Sequence, residues 1–478
     1  MTRTVDVAII GAGTAGLTAR REVEKHGQTA LLMDPGPHGT TCARVGCMPS
    51  KLLIAAAEAA HSVGHASTFG VHAEVRQIHG REVMHRVRSE RDRFVGFVRE
   101  SVVQLITEGK MLEGRATFSG PQTLEVEGHG EVAFRKVIIA TGSSPWVPPP
   151  YRHMEDHIIV NDDLFDWEDL PESVCVVGAG VIGLELGQAL HRLGVRVMIV
   201  GVGGGIGPLS DPEVLAEARE VLGAELNLHP HFDLEEATAT PDGVRIRGTG
   251  NQNEAVDATF ETLLVAAGRR PNLRGLELER AGVTLNARGL PAEFDSKTLQ
   301  VGNRPIFMAG DVNNTLPLLH EAADDGKLAG RNAVRFPHVQ VEMRRTPLAV
   351  MFTDPQVGLV GKRFSALKPG TFAAGSVSYR NQGRARVMAV NYGKVRIYAD
   401  AESGVLLGAE MFGPRMEHMA HLLAWTMQQR LTCKNVLAMP FYHPVLEEGL
   451  RTALQDLEHN MRLLGPLGDP CEEVGPGA

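Results

Sequence analysis

The sequence has few cysteines, few aromatic residues and no long apolar run. Five cysteines in 478 residues are too few for the disulfide framework of a secreted protein. No run of about 18 apolar residues occurs, and the first residues, MTRTVDVAIIGAG, hold neither an apolar signal core nor a cleavage site. These absences predict a cytoplasmic protein with no membrane partner.

The chain also lacks an excess of positive charge. Its formal net charge is −9, its isoelectric point is about 6.1, and no basic cluster stands out. We therefore expect no nucleic acid partner. The length of 478 residues and the hydrophobic fraction of 43% are sufficient for about three domains of ~150 residues each.

Two of the cysteines stand close together in TCARVGCMPSK, residues 41–51. Cys42 and Cys47 flank Gly46, which permits the bend that a disulfide requires. Closing so short a loop removes little entropy from the unfolded chain, so the bond would be a poor staple but easy to open and close. The spacing alone leaves open a redox-active pair or two ordinary buried thiols, because cytosolic proteins keep thiols reduced unless the pair is catalytic. Cys175 is expected in the core.

A glycine-rich turn follows the first predicted strand, Thr4–Ile10, and precedes an amphipathic helix. This order is typical of a dinucleotide-binding turn, in which the pyrophosphate lies at the helix N-terminus. A second strand, residues 29–33, ends at Asp34, where a carboxylate can bond a ribose hydroxyl. The glycines of this turn are Gly11, Gly13 and Gly16.

A second unit of the same design begins with the predicted strand Ser173–Val177. Its helix carries Glu185, and its next strand ends at Gly201 in the segment GVGGGIG. No acidic residue stands there to hold a ribose, and no Arg or Lys stands there for a 2′-phosphate, so the choice between NAD and NADP is open. The glycines of the turn are Gly178, Gly180 and Gly183.

Three further buried strands end in small residues at which doubly wound sheets bind ligands. The strand Val137–Ile139 leads to a tight turn, LLVAAGRRPNL closes the second unit, and Ile306–Met308 leads back to the first. The candidate ligand-binding residues after these strands are Thr141, Gly142, Gly268, Gly310 and Asp311.

The composition changes near residue 345 to alternating strands followed by two helices, which indicates an α+β domain. Between the helices lies MPFYHPVLEEGLR, with His443 five residues before Glu448. A histidine titrates near neutral pH, and a carboxylate can fix its tautomer and raise its basicity. Glu447 is a second carboxylate in this segment, but the spacing favours Glu448.

We predict an α/β fold with two Rossmann-like dinucleotide-binding domains and a C-terminal α+β domain. The first domain is discontinuous and takes residues 1–150 and 275–344. The second takes residues 151–274, and the third takes residues 345–478. Two nucleotide folds around a dithiol indicate that electrons pass between two cofactors and a disulfide.

The order of these motifs along nearly the whole chain resembles that of the flavin-dependent pyridine nucleotide-disulfide oxidoreductases. GCMPSK and MPFYHP most resemble the dihydrolipoamide dehydrogenases among them. The resemblance implies FAD in the first domain, NAD in the second and no metal. It also implies a homodimer joined through the third domain, with a lipoyl-bearing acyl carrier or a small dithiol as substrate.

The resemblance also implies roles for individual residues. Cys42 exchanges with the substrate sulfur, and Cys47 lies next to the flavin as a thiolate in charge transfer with it. His443, before a cis proline, is the base that serves the dithiol of the other subunit, and Glu448 orients it. Lys51 and Glu185 form a pair beside the flavin where hydride passes to nicotinamide; the sequence departs from its relatives at Val445 and Gly201.

Other functions keep parts of the same pattern. A diaphorase or quinone reductase would have this fold and pass electrons from the flavin without the dithiol. A mercuric-type reductase shares TCxxxGC but has paired cysteines at its C-terminus, where this chain has Cys471 alone. A non-enzymatic flavoprotein would have lost its chemistry, whereas every catalytic position here is filled.

Overall fold

A computed structural model describes residues 3–251 and 253–464 of the chain. The first stretch begins a sheet whose central strand, β1, is buried throughout residues 7–10 because layers cover both of its faces. The strands of this stretch are β1 (Arg3–Ile10), β2 (Ala30–Met33), β3 (Met111–Leu112), β4 (Ala116–Gly120), β5 (Thr123–Val126), β6 (Gly130–Ile139) and β7 (Ser143–Pro145). Its helices are α1 (Thr14–Lys25), α2 (Thr41–Val45), α3 (Cys47–His65) and α4 (Gly80–Thr107).

The middle stretch builds a second parallel sheet and a separate antiparallel one. The parallel sheet has the order β11-β10-β9-β15-β8, and the antiparallel sheet has the order β12-β13-β14. The strands are β8 (Ile158–Val160), β9 (Ser173–Val177), β10 (Arg196–Val200), β11 (Leu228–His229), β12 (Asp233–Thr240), β13 (Gly243–Thr249), β14 (Ala255–Phe260), β15 (Thr262–Val265) and β16 (Arg269–Pro271). The helices are α5 (Asn161–Leu164), α6 (Val181–Arg192) and α7 (Pro212–Glu225).

The chain then returns to the first sheet. It adds β17 (Phe294–Asp295), β18 (Gln300–Val301), β19 (Ile306–Met308) and the helix α8 (Leu319–Arg335). Because β19 pairs in parallel with β6, the first sheet draws strands from two distant stretches. Helix α8 lies directly on α1: a Cβ at Gly326 would stand 2.4 Å from the carbonyl oxygen of Ala15, so only glycine permits this approach.

The last stretch is an antiparallel sheet covered by helices. Its strands are β20 (Leu348–Met351), β21 (Gln356–Gly361), β22 (Phe372–Ser378), β23 (Lys394–Asp400) and β24 (Leu406–Gly413), in the order β20-β21-β24-β23-β22. The helices are α9 (Gly383–Val387), α10 (Met416–Gln428), α11 (Cys433–Leu437) and α12 (Glu448–Leu464). Buried apolar residues of α10 and α12 share one core with this sheet, which is the α+β arrangement expected from the sequence.

The structure confirms the predicted fold class and refines several elements. The predicted strand Val137–Ile139 is the end of a longer strand, β6. Helix α3 begins at Cys47, so the second cysteine itself opens the helix. The domain boundaries stay a prediction, and Cys471 lies outside the described residues. In the part of the chain that the structure covers, no helix is both long and apolar enough to cross a membrane.

Candidate active site

A cavity of about 480 Å³ lies where the carboxyl ends of β1, β6 and β19 meet helices α3 and α6. Its wall combines residues from all four stretches of the chain. Among the residues that line it are Cys42, Cys47, Lys51, Glu185, Asp311 and Phe352. The cavity thus brings together the thiol pair, the predicted Lys–Glu pair and one predicted cofactor carboxylate.

The two cysteines reach this cavity because the chain changes direction between two helices. Helix α2 ends at Val45, Gly46 turns the backbone, and α3 starts at Cys47. A Cβ at Gly46 would lie 3.1 Å from the carbonyl oxygen of Thr41, so the turn is tight. Both cysteines are free thiols, and each changes the acidity of the other.

The two thiols differ in acidity. The hydrogen bond from Cys42 and the positive charge of Lys51 lower the pKa of Cys47 to about 7, against the effect of burial. The same hydrogen bond, together with burial, raises the pKa of the Cys42 thiol. One sulfur of the reduced pair therefore carries the thiolate near neutral pH and the other carries the proton.

Lys51 and Glu185 form an ion pair across two helices. The Lys51 Nζ lies 2.7 Å from one carboxylate oxygen of Glu185, whose side chain is only 5% exposed. The other oxygen accepts a hydrogen bond from the backbone N–H of Phe352 at 2.7 Å. Sequence reasoning missed Phe352, which no motif of the sequence indicated.

The first glycine turn has the form of a nucleotide cradle. The N-terminus of α1 lies beside Gly13, and a Cβ at this position would meet nothing within 4 Å. One carboxylate oxygen of Asp34 accepts the N–H of Ala12 at 2.6 Å, and the other accepts the N–H of Gly36 at 2.7 Å. The open helix terminus and the fixed carboxylate fit the pyrophosphate and ribose of a dinucleotide such as FAD.

Ser143 links the predicted carboxylate Asp311 to an arginine. Its hydroxyl donates to Asp311 Oδ2 at 2.9 Å and accepts from the Nε of Arg269 at 2.9 Å. Ser143 and Arg269 were missed, although each directly follows a predicted glycine, Gly142 or Gly268. The hydroxyl of Thr141 donates instead to the carbonyl of Asn272. Gly310, next to Asp311, lines the same cavity.

The second glycine turn repeats the geometry of the first at the start of α6. The carbonyl oxygen of Gly178 lies so close to Gly183 that a Cβ there would stand 1.9 Å from it, whereas Gly180 and Gly268 have open space within 4 Å. This open backbone between two strand ends fits a second dinucleotide, NAD.

The Gly201 position is closed to a side chain. A Cβ there would lie 2.9 Å from the Cβ of Ala179 and 3.1 Å from the carbonyl oxygen of Pro230. The following loop is tied down, because Gly207 donates its N–H to the carbonyl of Ala179 at 2.8 Å. Arg219 of α7 also reaches this loop and donates to the carbonyl of Gly204. The sequence did not indicate this arginine, which stands far along the chain from Gly201.

His443 lies apart from the cavity of its own chain. Its imidazole is 81% exposed, and Nδ1 lies 2.9 Å from a carboxylate oxygen of Glu448. Glu448 also accepts the N–H of Val445, and the hydrogen bond to His443 holds the pKa of this carboxyl below its usual range. The His443–Pro444 peptide bond is cis. The structure thus joins the histidine to the carboxylate, but does not bring it to the cysteines of the same chain.

In the described ranges, no group of three or more His, Cys, Asp or Glu residues could hold a metal ion. Cys175 is fully buried, and burial raises the pKa of its thiol. It therefore lies in the core, apart from the redox pair.

Two family models match the chain. The model of the pyridine nucleotide-disulphide oxidoreductases matches residues 5–326, and that of the dimerisation domain of these enzymes matches residues 348–454. The chain therefore belongs to the pyridine nucleotide-disulphide oxidoreductase family. This membership confirms the resemblance read from the motifs and makes the protein a flavoprotein oxidoreductase with FAD and NAD as cofactors.

Individual relatives agree on the family and differ in their reactions. A dihydrolipoyl dehydrogenase of Halobacterium salinarum is 30% identical over 461 residues, which cover 94% of this chain and 95% of the relative. A mercuric reductase of Acidithiobacillus ferrooxidans is 28% identical over 469 residues, which cover 96% and 83%. The crystal structure of LpdA from Mycobacterium tuberculosis is 25% identical with a TM-score of 0.79, over 95% of this chain and 99% of that one.

Proposed function

We propose that the protein oxidises dihydrolipoamide to lipoamide and passes the two electrons through the Cys42–Cys47 pair and FAD to NAD. The observation that carries the proposal is that the Cys42–Cys47 pair shares one cavity with the Lys51–Glu185 ion pair. A dithiol with one acidic sulfur is suited to thiol–disulfide exchange, because the better leaving thiolate is defined in advance. The relatives named dihydrolipoyl dehydrogenase support the choice of substrate.

The exchange begins with the pair as a disulfide. A substrate thiolate attacks the Cys42 sulfur, a mixed disulfide forms, and Cys47 leaves as a thiolate stabilised by Lys51. The second thiolate of the same substrate then attacks the substrate sulfur that is bonded to Cys42. This step closes the disulfide of lipoamide and releases the Cys42 thiolate, which is then protonated. One substrate has then lost two electrons, and Cys42 and Cys47 have gained them. When bound, FAD supplies the step that transfers this electron pair as hydride to NAD.

His443 has the chemistry of the base that makes the substrate thiolate. Its exposed imidazole is paired through Nδ1 with Glu448, so Nε2 is left to accept a proton. Because His443 lies apart from its own cavity, we assign it to the cavity of a second subunit in a homodimer. The family match to a dimerisation domain supports this assembly.

We also propose a partner and a cellular location for the enzyme. A lipoyl group on an acyl carrier, or a small free dithiol, would meet the Cys42 side of the cavity. A cytoplasmic location is consistent with the use of a thiol pair for catalysis rather than for stability.

The first experiment is steady-state reduction of NAD by dihydrolipoamide with the purified holoenzyme, repeated with NADP. We expect the wild type and a Cys471→Ser control to reduce NAD. In Cys47→Ser the rate of NAD reduction should fall at least ~1,000-fold while FAD stays bound. Full lipoamide activity in Cys47→Ser would refute the proposal.

A second candidate function is that of a diaphorase. Gly201 favours it, because a site that distinguishes NAD from NADP strictly would carry a charged residue at this position, which here has no room for a side chain. This candidate expects NADH oxidation by a quinone to survive in Cys47→Ser while dihydrolipoamide oxidation is absent even in the wild type. A quinone rate that falls together with the lipoamide rate would exclude it.

A further inference from the structure

The side chain of Lys51 is flexible, yet its positive charge helps to lower the pKa of Cys47 and must lie close to that thiol to do so. It is one helical turn after Cys47 on α3, so its ammonium lies on the same helix face as the thiol. The side chain is 34% exposed, and a lysine free to enter solvent has many rotamers to occupy. Something other than its own stem must keep the charge beside the dithiol.

Phe352 contacts both this ammonium and its counter-ion. The Lys51 Nζ lies 4.6 Å from the centroid of the Phe352 ring, within the range of a cation–π contact. The backbone N–H of Phe352 donates to Glu185 Oε1 at 2.7 Å, while Lys51 donates to Oε2 at 2.7 Å. One residue therefore contacts the cation with its ring and orients the counter-ion with its backbone.

The Phe352 segment is itself held by α6. The Gln188 side chain exchanges two hydrogen bonds with the backbone of Asp354, at 2.7 Å and 2.8 Å. Arg192 adds an ion pair with the Asp354 carboxylate at 2.9 Å. Glu185, Gln188 and Arg192 recur at helical spacing, so one face of α6 binds both Phe352 and Asp354.

We propose that Phe352 is a positioning residue of the redox site, which keeps the Lys51 ammonium beside Cys47 by contacting Lys51 and Glu185 at once. The inference rests on the proposed use of the Cys42–Cys47 pair. The charged and titratable groups that face Cys47 are Cys42 from α2, Lys51 from α3 and Glu185 from α6. Asp311, Arg269, His320 and His421 line the same cavity, and His443 of a second subunit would join them in the proposed dimer.

The test measures thiolate formation rather than turnover. The reduced holoenzyme is treated with iodoacetamide across pH 5.5–9 (about the span that brackets a thiol of this kind) without lipoamide or nicotinamide. Trypsin separates the two cysteines because Arg44 lies between them, so mass spectrometry reports each alkylation rate alone. A failure of the lipoamide assignment would leave this measurement intact.

Phe352→Leu removes the ring and keeps the backbone N–H. We expect the pH midpoint of Cys47 alkylation to rise by about half a unit or more, with a ~3-fold or greater slowing at pH 7, because the nearby cation is less well held. Phe352→Tyr should restore the wild-type midpoint, since a phenol ring offers the same π-face. Phe364→Leu is the matched control, because that ring packs on Phe372 and Tyr398 in the last sheet.

A wild-type midpoint in Phe352→Leu, with FAD bound, would overturn the inference. An equal shift in Phe364→Leu would also overturn it, since the effect would then be a general loss of stability. If Phe352→Leu does not retain FAD, Gln188→Leu is tested instead: it leaves the ring in place but removes both hydrogen bonds between Gln188 and the backbone of Asp354. A rise of the Cys47 midpoint in Gln188→Leu supports the inference, and an unchanged midpoint refutes it.

Discussion

The Lys51 ammonium lies 2.7 Å from a Glu185 carboxylate oxygen, although the two residues are 134 positions apart in the sequence. The pair joins α3, which carries Cys47, to α6, which begins at the second nucleotide turn. It is therefore placed where the dithiol and the nicotinamide half of the proposed reaction meet. Because Glu185 is buried and Lys51 is one-third exposed, the two partners are not equivalent.

The first prediction uses this asymmetry. Lys51→Met leaves a buried carboxylate without its cation, whereas Glu185→Gln leaves an ammonium that can turn to solvent. We expect Lys51→Met to lower the free energy of unfolding by about 1–3 kcal/mol, less than for a fully buried pair, and Glu185→Gln to lower it by less. Urea unfolding of the holoenzymes compares the two, and equal losses would contradict the argument.

The second prediction separates the two carboxylates near His443. Glu448 contacts the imidazole Nδ1, and its lowered pKa keeps it ionised at and below neutral pH. Glu448→Gln removes the charge that stabilises the protonated imidazole, so kcat for dihydrolipoamide oxidation should fall by about 100-fold or more. The neighbouring Glu447→Gln is the control and should retain most of the wild-type rate.

The pH dependence of kcat/KM in Glu448→Gln gives a second check of this prediction. Glu448→Gln takes away a carboxylate that lies 2.9 Å from the imidazole, so the acidic limb of the kcat/KM profile should move to lower pH. An unmoved profile, or a larger loss in Glu447→Gln, would show that Glu448 does not orient the histidine.

The third prediction concerns the hydroxyl of Ser143. Ser143→Ala leaves Asp311 Oδ2 and the Arg269 Nε without their shared partner in a mostly buried position. Loss of a hydrogen bond to a charged group costs about 1.5–3 kcal/mol, so FAD should bind at least ~10-fold more weakly. Fluorescence of released FAD measures the change, and the exposed neighbour Ser144→Ala should bind FAD normally. Equal weakening in both variants would refute a specific role.

Much of the fold could be predicted because its signals are local. Apolar runs such as Ser173–Val177 and Ile306–Met308 have the observed bounds as strands, since a strand buried on both faces needs a short continuous apolar run. The position of the break between α3 and α4 was not predicted. Residues 71–79 contain no proline, and the polar surroundings resemble those of the helices on either side.

The residues of the candidate site likewise fall into those that a local motif indicates and those that only the folded chain brings together. Cys42, Cys47 and His443 stand in short motifs with their own spacing, so their sequence contexts pointed to them. Phe352 and Ser143 act through single contacts with residues far along the chain, as the 2.7 Å bond from Phe352 to Glu185 illustrates. No local pattern encodes such a contact, because it is created when stretches that are far apart along the chain pack together.

The fourth prediction tests what the glycine at position 201 means for NAD. Relatives with a carboxylate there would suggest that Gly201→Glu restores a ribose contact. The structure indicates the reverse, because a Cβ at this position would lie 2.9 Å from the Ala179 Cβ and 3.1 Å from the Pro230 carbonyl oxygen. Either the loop or the nucleotide turn must shift to admit the side chain. We therefore expect Gly201→Glu to weaken NAD binding by about 10-fold or more.

Gly205→Glu is the matched control for this change. It adds the same charge to the same loop, but a Cβ at Gly205 would meet nothing within 4 Å. Titration of NAD by isothermal calorimetry should give a Kd near the wild-type value for this variant. If Gly201→Glu instead tightened NAD and left NADP weak, the loop would be more adaptable than its hydrogen bonds to Ala179 and Pro230 indicate. In that case, the absence of a carboxylate at position 201 would by itself explain a weak preference between NAD and NADP. The close packing around Gly201 would not, because it would have adjusted to the new side chain.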